Sequence, residues 1–297
     1  MTAAANSAES FSHRYFGSEL IARRLHQGET ATALQLCPFE DVDAEVISRE
    51  LEAEADYCWM GLFAPDGTVA AAHRAMRWHQ YLLLKGVFVD DAYRGSGAGI
   101  GVVFAIRDWA RQAGYRGVAA WVEPNKPEAR LAARLRLRPA SPLLHRYLIQ
   151  LPSASTFTPP GPRTLRPTAG TLTVPLGGES VGPVRELLGI RQDGSARTHL
   201  AWVVDRSRLV MSGNPCRSID DLDTLVAAAE ETAMLTGATA MEISFEAADL
   251  HAALSLAGMG AQRLSRSPVN LGVLSFEGDE TMSETGRSTA TEPTFHG

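Results

Sequence analysis

The sequence predicts a mixed α/β fold in two parts, on three observations. Apolar runs of strand length alternate with stretches of helical period. A proline-rich segment, Leu151–Pro167 (LPSASTFTPPGPRTLRP), interrupts the chain near its middle. The pattern before that break returns after it at an offset of 123 residues, which aligns Gly114 with Gly237 and GYRGVAAWVEP with GATAMEISFEA. With 297 residues, 45% of them hydrophobic, there is core enough for two domains. The expected organisation is a domain over 1–150, a connector over 151–167, a second domain over 168–276, and a polar, disordered tail over 277–297.

Charge and cysteine usage exclude several classes. Residues 1–150 carry equal numbers of acidic and basic side chains, so the whole net charge of −6 falls in the remainder. That balance is unlike a general nucleic-acid binder. No apolar run approaches the roughly 20 residues of a membrane span, and Met1–Ser10 lacks the basic-then-apolar order of a secretion signal. A cytoplasmic protein without a membrane partner is expected. Cys37, Cys58 and Cys216 are odd in number and scattered, which suits free thiols and gives neither a disulfide framework nor a metal site.

In the first part, Val42–Ala55 has the helical spacing Val42, Val46, Ile47, Leu51, with acids on the other side. Cys58–Phe63 and Thr68–Met76 flank Pro65-Asp66-Gly67, a turn sequence, and so form a hairpin. Tyr81–Val89 is near-continuously apolar and reads as a central strand. Val102, Ile106, Trp109 and Ala113 mark a helix that stops at Gly114. Val118–Val122 is a strand, Glu128–Arg136 a short helix and Leu143–Leu151 a last strand.

Between the central strand and the long helix lies GVFVDDAYRGSGAGIG, Gly86–Gly101, with five glycines. Glycines at a strand-to-helix junction leave the first helical N–H groups bare, and those groups carry partial positive charge. Such a turn suits a phosphate, with Arg94 at its rim. It also suits a tight turn and nothing more. There is no Gly-Lys-Ser/Thr for a Walker loop.

The spacing Arg94-x-x-Gly97-x-Gly99 resembles the pyrophosphate-binding motif of the GCN5-related N-acetyltransferase (GNAT) family. Val87-Phe88-Val89 resembles that family's fourth strand, Trp121–Asn125 (WVEPN) its fifth strand and following asparagine, and Leu135–Pro139 (LRLRP) its Leu-Gly-Phe stretch and Arg-Pro. The resemblance covers Thr68 to Leu151 and implies a GNAT-like acyltransferase fold with acetyl-CoA or another acyl-CoA as cofactor. It further implies that Phe88 and Val89 border the pantetheine arm. Arg94, Gly95, Ser96, Gly97, Ala98 and Gly99 then hold the diphosphate, and Asn125 touches the cofactor.

The chain departs from that family where the usual acid, a tyrosine seven residues after Asn125, is replaced by Ala132. His145 and Tyr147 on the last strand are substitutes by location, though Tyr147 also suits a packed sheet position and His145 a solvent-facing one. For a base, His73 and His79 share one face of a regular strand by parity, and a hydrogen-bonded sheet histidine is the plainer account of each. Arg130, Arg134 and Arg138 recur at intervals of four as one positive stripe, either solvated or able to meet phosphate or RNA.

After the break, Ser218-Ile-Asp-Asp221 starts a helix through Leu222, Leu225, Val226, Ala229 and Ala233, and Leu254–Gly260 is a short helix and turn. Where the first part has its glycines, the second has Arg217–Leu222, RSIDDL. The expectation is a degenerate GNAT-like copy that shapes a cleft or a homodimer contact. Acyl transfer to an amine of a small molecule, for instance in specialised metabolism, leads the functional readings. Aminoacyl transfer from a charged tRNA and a non-catalytic acyl-CoA-binding module are the alternatives.

Overall fold

A computed structural model describes residues 11–15, 18–36, 44–152, 169–174, 198–211 and 219–276. The connector from residue 153, the tail from 277, Cys37 and Cys216 lie outside the described residues. The chain begins with β1 (Phe11–Tyr15), β2 (Ser18–Arg24) and helices α1 (Thr30–Leu36) and α2 (Ala44–Glu52). A meander follows of β3 (Tyr57–Phe63), β4 (Val69–Trp78) and β5 (Tyr81–Val89). Next come α3 (Ala98–Gln112), β6 (Gly117–Val122), α4 (Pro127–Arg134), β7 (Arg138–Pro139) and β8 (Leu144–Gln150). The rear half, after Leu151, adds β9 (Ala169–Val174), β10 (Thr198–Asp205), β11 (Arg208–Met211) and α5 (Ile219–Thr236). It closes with β12 (Ala240–Glu246), α6 (Leu250–Gly258), β13 (Gln262–Arg263) and β14 (Asn270–Ser275).

The strands form two sheets, in the orders β1-β2-β3-β4-β5-β6-β14-β7 and β13-β8-β12-β11-β10-β9. Among the described strands only β5 with β6 and β11 with β12 run parallel, and each parallel pair is bridged by a long helix, α3 or α5. The offset seen in the sequence is therefore also geometric: β6 opens at Gly117 and β12 at Ala240, and Gly114 and Gly237 both end their helices at positive φ.

Each face of the first sheet is covered because its alternating side chains are apolar. Val102, Ala105, Ile106 and Ala110 of α3 pack on Leu62, Ala71, Leu82 and Val118. On the other face Ala33, Ile47 and Leu51 of α1 and α2 meet Trp59, Phe63 and Phe88. Beyond those helices the same face takes the second sheet: Val203 and Val210 pack among Met76, Trp78, Leu83 and Ala119.

The expected boundary at 150/151 does not coincide with sheet membership. The strand Leu144–Gln150 forms where expected but pairs with β12, Tyr147 opposite Ile243, while the last strand returns to lie beside β6, Leu271 opposite Trp121. The two strands pass each other at Leu144 and Val269. Local pattern identifies a strand but not a partner more than a hundred residues away, which is why the exchange was invisible in the sequence.

Candidate acyl-CoA site

The site begins with a bulge. β4 and β5 pair Ala75 with Leu84 and Arg74 with Gly86, which leaves Lys85 as an extra residue. The parallel pairing of β5 with β6 stops at the same place, at Leu84 opposite Ala120. From Lys85 onward the strand continues to Val89 without β6, so the sheet splits and β6 no longer covers the edge at Gly86–Val89. A cleft of about 740 Å³ opens there. Its lining includes Val87, Val89, Arg94, Gly95, Gly97, Ala98, Gly99, Phe104, Leu131 and Arg134.

At the mouth, Asp90 caps the 3-10 turn Asp91–Tyr93 by accepting the Ala92 N–H at 2.9 Å. The Ser96 hydroxyl donates to the Tyr93 carbonyl and accepts from the Ala98 N–H. Gly97 then caps α3 at φ 87, a left-handed conformation that a side chain would strain. Among the described residues, no acceptor takes the amides of Gly95, Gly97 and Gly99. A Cβ at Gly99 would stand 3.1 Å from Cγ2 of Val89, so glycine is what lets helix and strand approach here. Three free amides at the positive end of a 15-residue helix form a cradle that fits a diphosphate. Arg94 stands exposed beside it, paired with Asp91 at 2.7 Å, and is available to exchange that carboxylate for a phosphate.

Phe88 turns away from this cleft, stacks on Trp59 and borders a second cleft of about 700 Å³ on the other side of β5, with Leu36, Asp90, Asp91 and Arg94. Asn125 lies on the exposed turn between β6 and α4 and lines neither cleft. Arg134 reaches the first cleft and Arg130 is exposed. The stripe expected through Arg138 does not form, because α4 ends four residues earlier. Arg136 takes φ 61, the Arg136 N–H donates to Ala133 and the Leu137 N–H to Ala132, the paired bonds of a Schellman stop. Arg138 therefore sits on β7.

None of the four acid–base candidates lines either cleft. His73 is buried between β3 and β5; Nδ1 donates to the Gly86 carbonyl at 2.5 Å, and Nε2 has no partner among the described residues. Burial pushes its pKa down to about 4, so it is uncharged at neutral pH. His79 does not share a strand face with it: β4 ends at Trp78, and His79 occupies the following turn at φ 56. Tyr147 is buried in the core of the second sheet, edge-on to Phe245. His145, beside it, contacts the Arg263 guanidinium.

A buried charge cluster that the sequence reading missed lies on the face away from α3. Arg74 donates to both oxygens of Glu50 at 2.6 and 2.8 Å and to Asp205 at 2.7 Å. Lys85 Nζ meets the other oxygen of Asp205 at 3.0 Å. Glu50 also accepts from Trp59 Nε1 and from Arg206 Nε. Burial opposes ionisation of Asp205, but Lys85 and Arg74 outweigh it and hold the carboxyl well below the ordinary range. Burial, reinforced by that carboxylate, pushes the Tyr57 hydroxyl well up. The available signal was Arg74 in the middle of a strand, VAAAHRAMRW, whose first eight positions would otherwise hold only one polar residue, His73.

A split parallel pair with bare amides at its mouth has the shape and charge to take an acyl-CoA. Residues 22–135 match the model of the acetyltransferase (GNAT) family. The chain is thus an N-acyltransferase that uses acetyl-CoA. Among solved structures it is similar to an acetyltransferase structure from Pyrococcus horikoshii at 12% identity and TM-score 0.50, over 89% of this chain and 91% of that one, which shows a shared fold. It is also similar to a GCN5-related N-acetyltransferase from Sphaerobacter thermophilus at 16% identity and TM-score 0.47, over 86% and 95%. A PaiA N-acetyltransferase from Thermoplasma acidophilum, in complex with coenzyme A, matches at 11% identity and TM-score 0.35, over 40% and 90%. Comparison with curated proteins found no match. Among the described residues no helix is long and apolar enough to cross a membrane, and no cluster of His, Cys, Asp or Glu could hold a metal ion.

Proposed function

We propose that the chain transfers an acetyl group from acetyl-CoA to an amine of a small molecule. The observation that carries this reading is the set of unpartnered amides at Gly95, Gly97 and Gly99 beside the open edge Gly86–Val89. The diphosphate binds the amides with Arg94, and the pantetheine arm adds to the open edge as an extra strand would. Val87 and Val89 of β5 border both clefts, so a thioester in one lies across a single strand from an acceptor in the other. At about 700 Å³ the second cleft has the size of a small-molecule site, and Asp90 and Asp91 at its rim favour a cationic amine. Bound acetyl-CoA supplies the activated thioester; the chain's own amides orient it, and the apolar lining of Val87, Val89, Phe104 and Leu131 limits water. The rear half is read as a degenerate copy that supports the acceptor side.

Calorimetry with acetyl-CoA tests this. Arg94→Ala and Gly97→Trp should each weaken binding at least about tenfold without unfolding the protein, as loss of a charge-assisted contact or of the cradle would. Unchanged affinity in both rejects the assignment. A panel of small cationic amines, assayed for acetylated product by mass spectrometry, then tests the acceptor class. The tRNA reading loses the stripe that favoured it, since Arg138 stands off the helix.

A further inference from the structure

Every residue that lines the two clefts precedes Leu151, yet the bulge that opens the first is held from the rear half. The turn between β10 and β11 carries Asp205 and Arg206 onto the face of β4 and β5. Asp205 binds Lys85 with one oxygen and Arg74 with the other. The turn is fixed a second time: the Tyr57 hydroxyl donates to the Val204 carbonyl and accepts from the Arg206 N–H, each at 3.3 Å. Lys85 is one of only two lysines in the chain and is the extra residue of the bulge. On the other flank, His73 holds the Gly86 carbonyl. The open edge starts at that carbonyl.

We propose that Asp205 is a positioning residue for acyl transfer: through Lys85 and Arg74 it fixes the bulge from which Gly86–Val89 departs, so the half without a glycine loop is required for chemistry in the other. This rests on the acyl-CoA reading given above. A bulge re-aims the strand it interrupts, and amides that stabilise a developing oxyanion work only when they are held in place beforehand. Asp205 touches neither cleft, so it acts through Lys85. Arg74 keeps Glu50 when Asp205 is altered, whereas Lys85 loses the carboxylate that anchors it.

The test needs no knowledge of the acceptor. The full chain is loaded with acetyl-CoA carrying ¹³C at the thioester carbonyl, and the infrared band of the bound carbonyl is compared with that of the free cofactor. Coenzyme A affinity is measured in parallel. The parent should show a downshifted band. Asp205→Asn and Lys85→Met should each lose about half of that shift or more, because the polarising amides are displaced. Their coenzyme A affinity should fall as well, because the pantetheine arm lies along the same displaced edge, so the band is read with the cofactor at saturation. The double variant should lose no more than either single, and Asp205→Glu should restore the band. A merely structural role would lower Tm and leave the band of the folded fraction unmoved. If Asp205→Asn does not fold, Lys85→Met decides alone, because that side chain reaches the surface at 17% exposure. A folded variant with the parent's band overturns the proposal and leaves the acyl-CoA reading standing. A parent that binds no acetyl-CoA overturns that reading, and the proposal with it.

Discussion

Leu144 and Val269 exchange backbone hydrogen bonds across the point where the two halves trade strands: Leu144 N–H to Val269 O at 2.7 Å, and Val269 N–H to Leu144 O at 2.8 Å. From this bridge β8 enters the rear sheet and β14 enters the front one. β14 covers the edge of β6 with six consecutive residues and places Leu271 and Val273 in the shared core. A chain cut after Pro152 would expose that edge and leave β8 without β12. We expect such a fragment to show no cooperative unfolding transition by circular dichroism and no coenzyme A binding. The full chain supplies the comparison, and a fragment that melts cooperatively and binds coenzyme A contradicts the account.

Gly99 gives a graded probe of the cradle. Its missing Cβ leaves 3.1 Å to Val89 Cγ2, so alanine requires a shift of a few tenths of an ångström and valine considerably more. Gly99→Ala should weaken coenzyme A binding by about threefold and Gly99→Val by at least tenfold, on the order of 1.4 kcal/mol. The order of the two affinities, read by calorimetry, is the check.

Arg136 holds a left-handed position that glycine fills without strain. Arg136→Gly should stabilise the protein by about 0.5–1 kcal/mol, the relief of strain exceeding the extra freedom of the unfolded chain. Differential scanning calorimetry should register a rise in Tm of about 1–3 °C. A fall in Tm would mean that the Arg136 side chain contributes a contact worth more than the strain.

These two sites show how the sequence could be read and where it could not. The central strand Tyr81–Val89 was legible to the residue, because a long apolar run bounded by acids and glycines has one sensible conformation. The glycine turn ahead of α3 was legible for the same kind of reason, because positive φ at Gly95 and Gly97 follows from local backbone chemistry. Arg136 was not, since nothing in LRLRP marks the left-handed residue when it is not glycine. His79 was placed on a strand by parity, and the strand ended one residue before it. Asp205 escaped altogether: it lies 131 residues from Arg74 in the chain. A buried ion cluster is assembled by the tertiary fold, so its members resemble ordinary surface charges when read singly.

His73 makes the stability of the front sheet depend on acidity in a defined window. Burial lowers its pKa from the ordinary 6.5 to about 4. Between these values the unfolded chain binds a proton that the folded chain excludes, so stability rises with pH across the interval. The contribution is fully present above about 6.5, shrinks as pH falls, and is lost at about 4, for a total of about 3 kcal/mol. Asp205 acts lower, because its carboxyl is held below the ordinary range and its contribution is lost only under stronger acid. Replacing His73 with Gln keeps a donor for the Gly86 carbonyl while removing the titrating group. Urea unfolding at pH 7, 6, 5 and 4.5 should show parent stability falling steadily, while the His73→Gln variant, less stable at pH 7, should stay nearly flat to pH 5. Parallel slopes for the two proteins would place the acid sensitivity elsewhere.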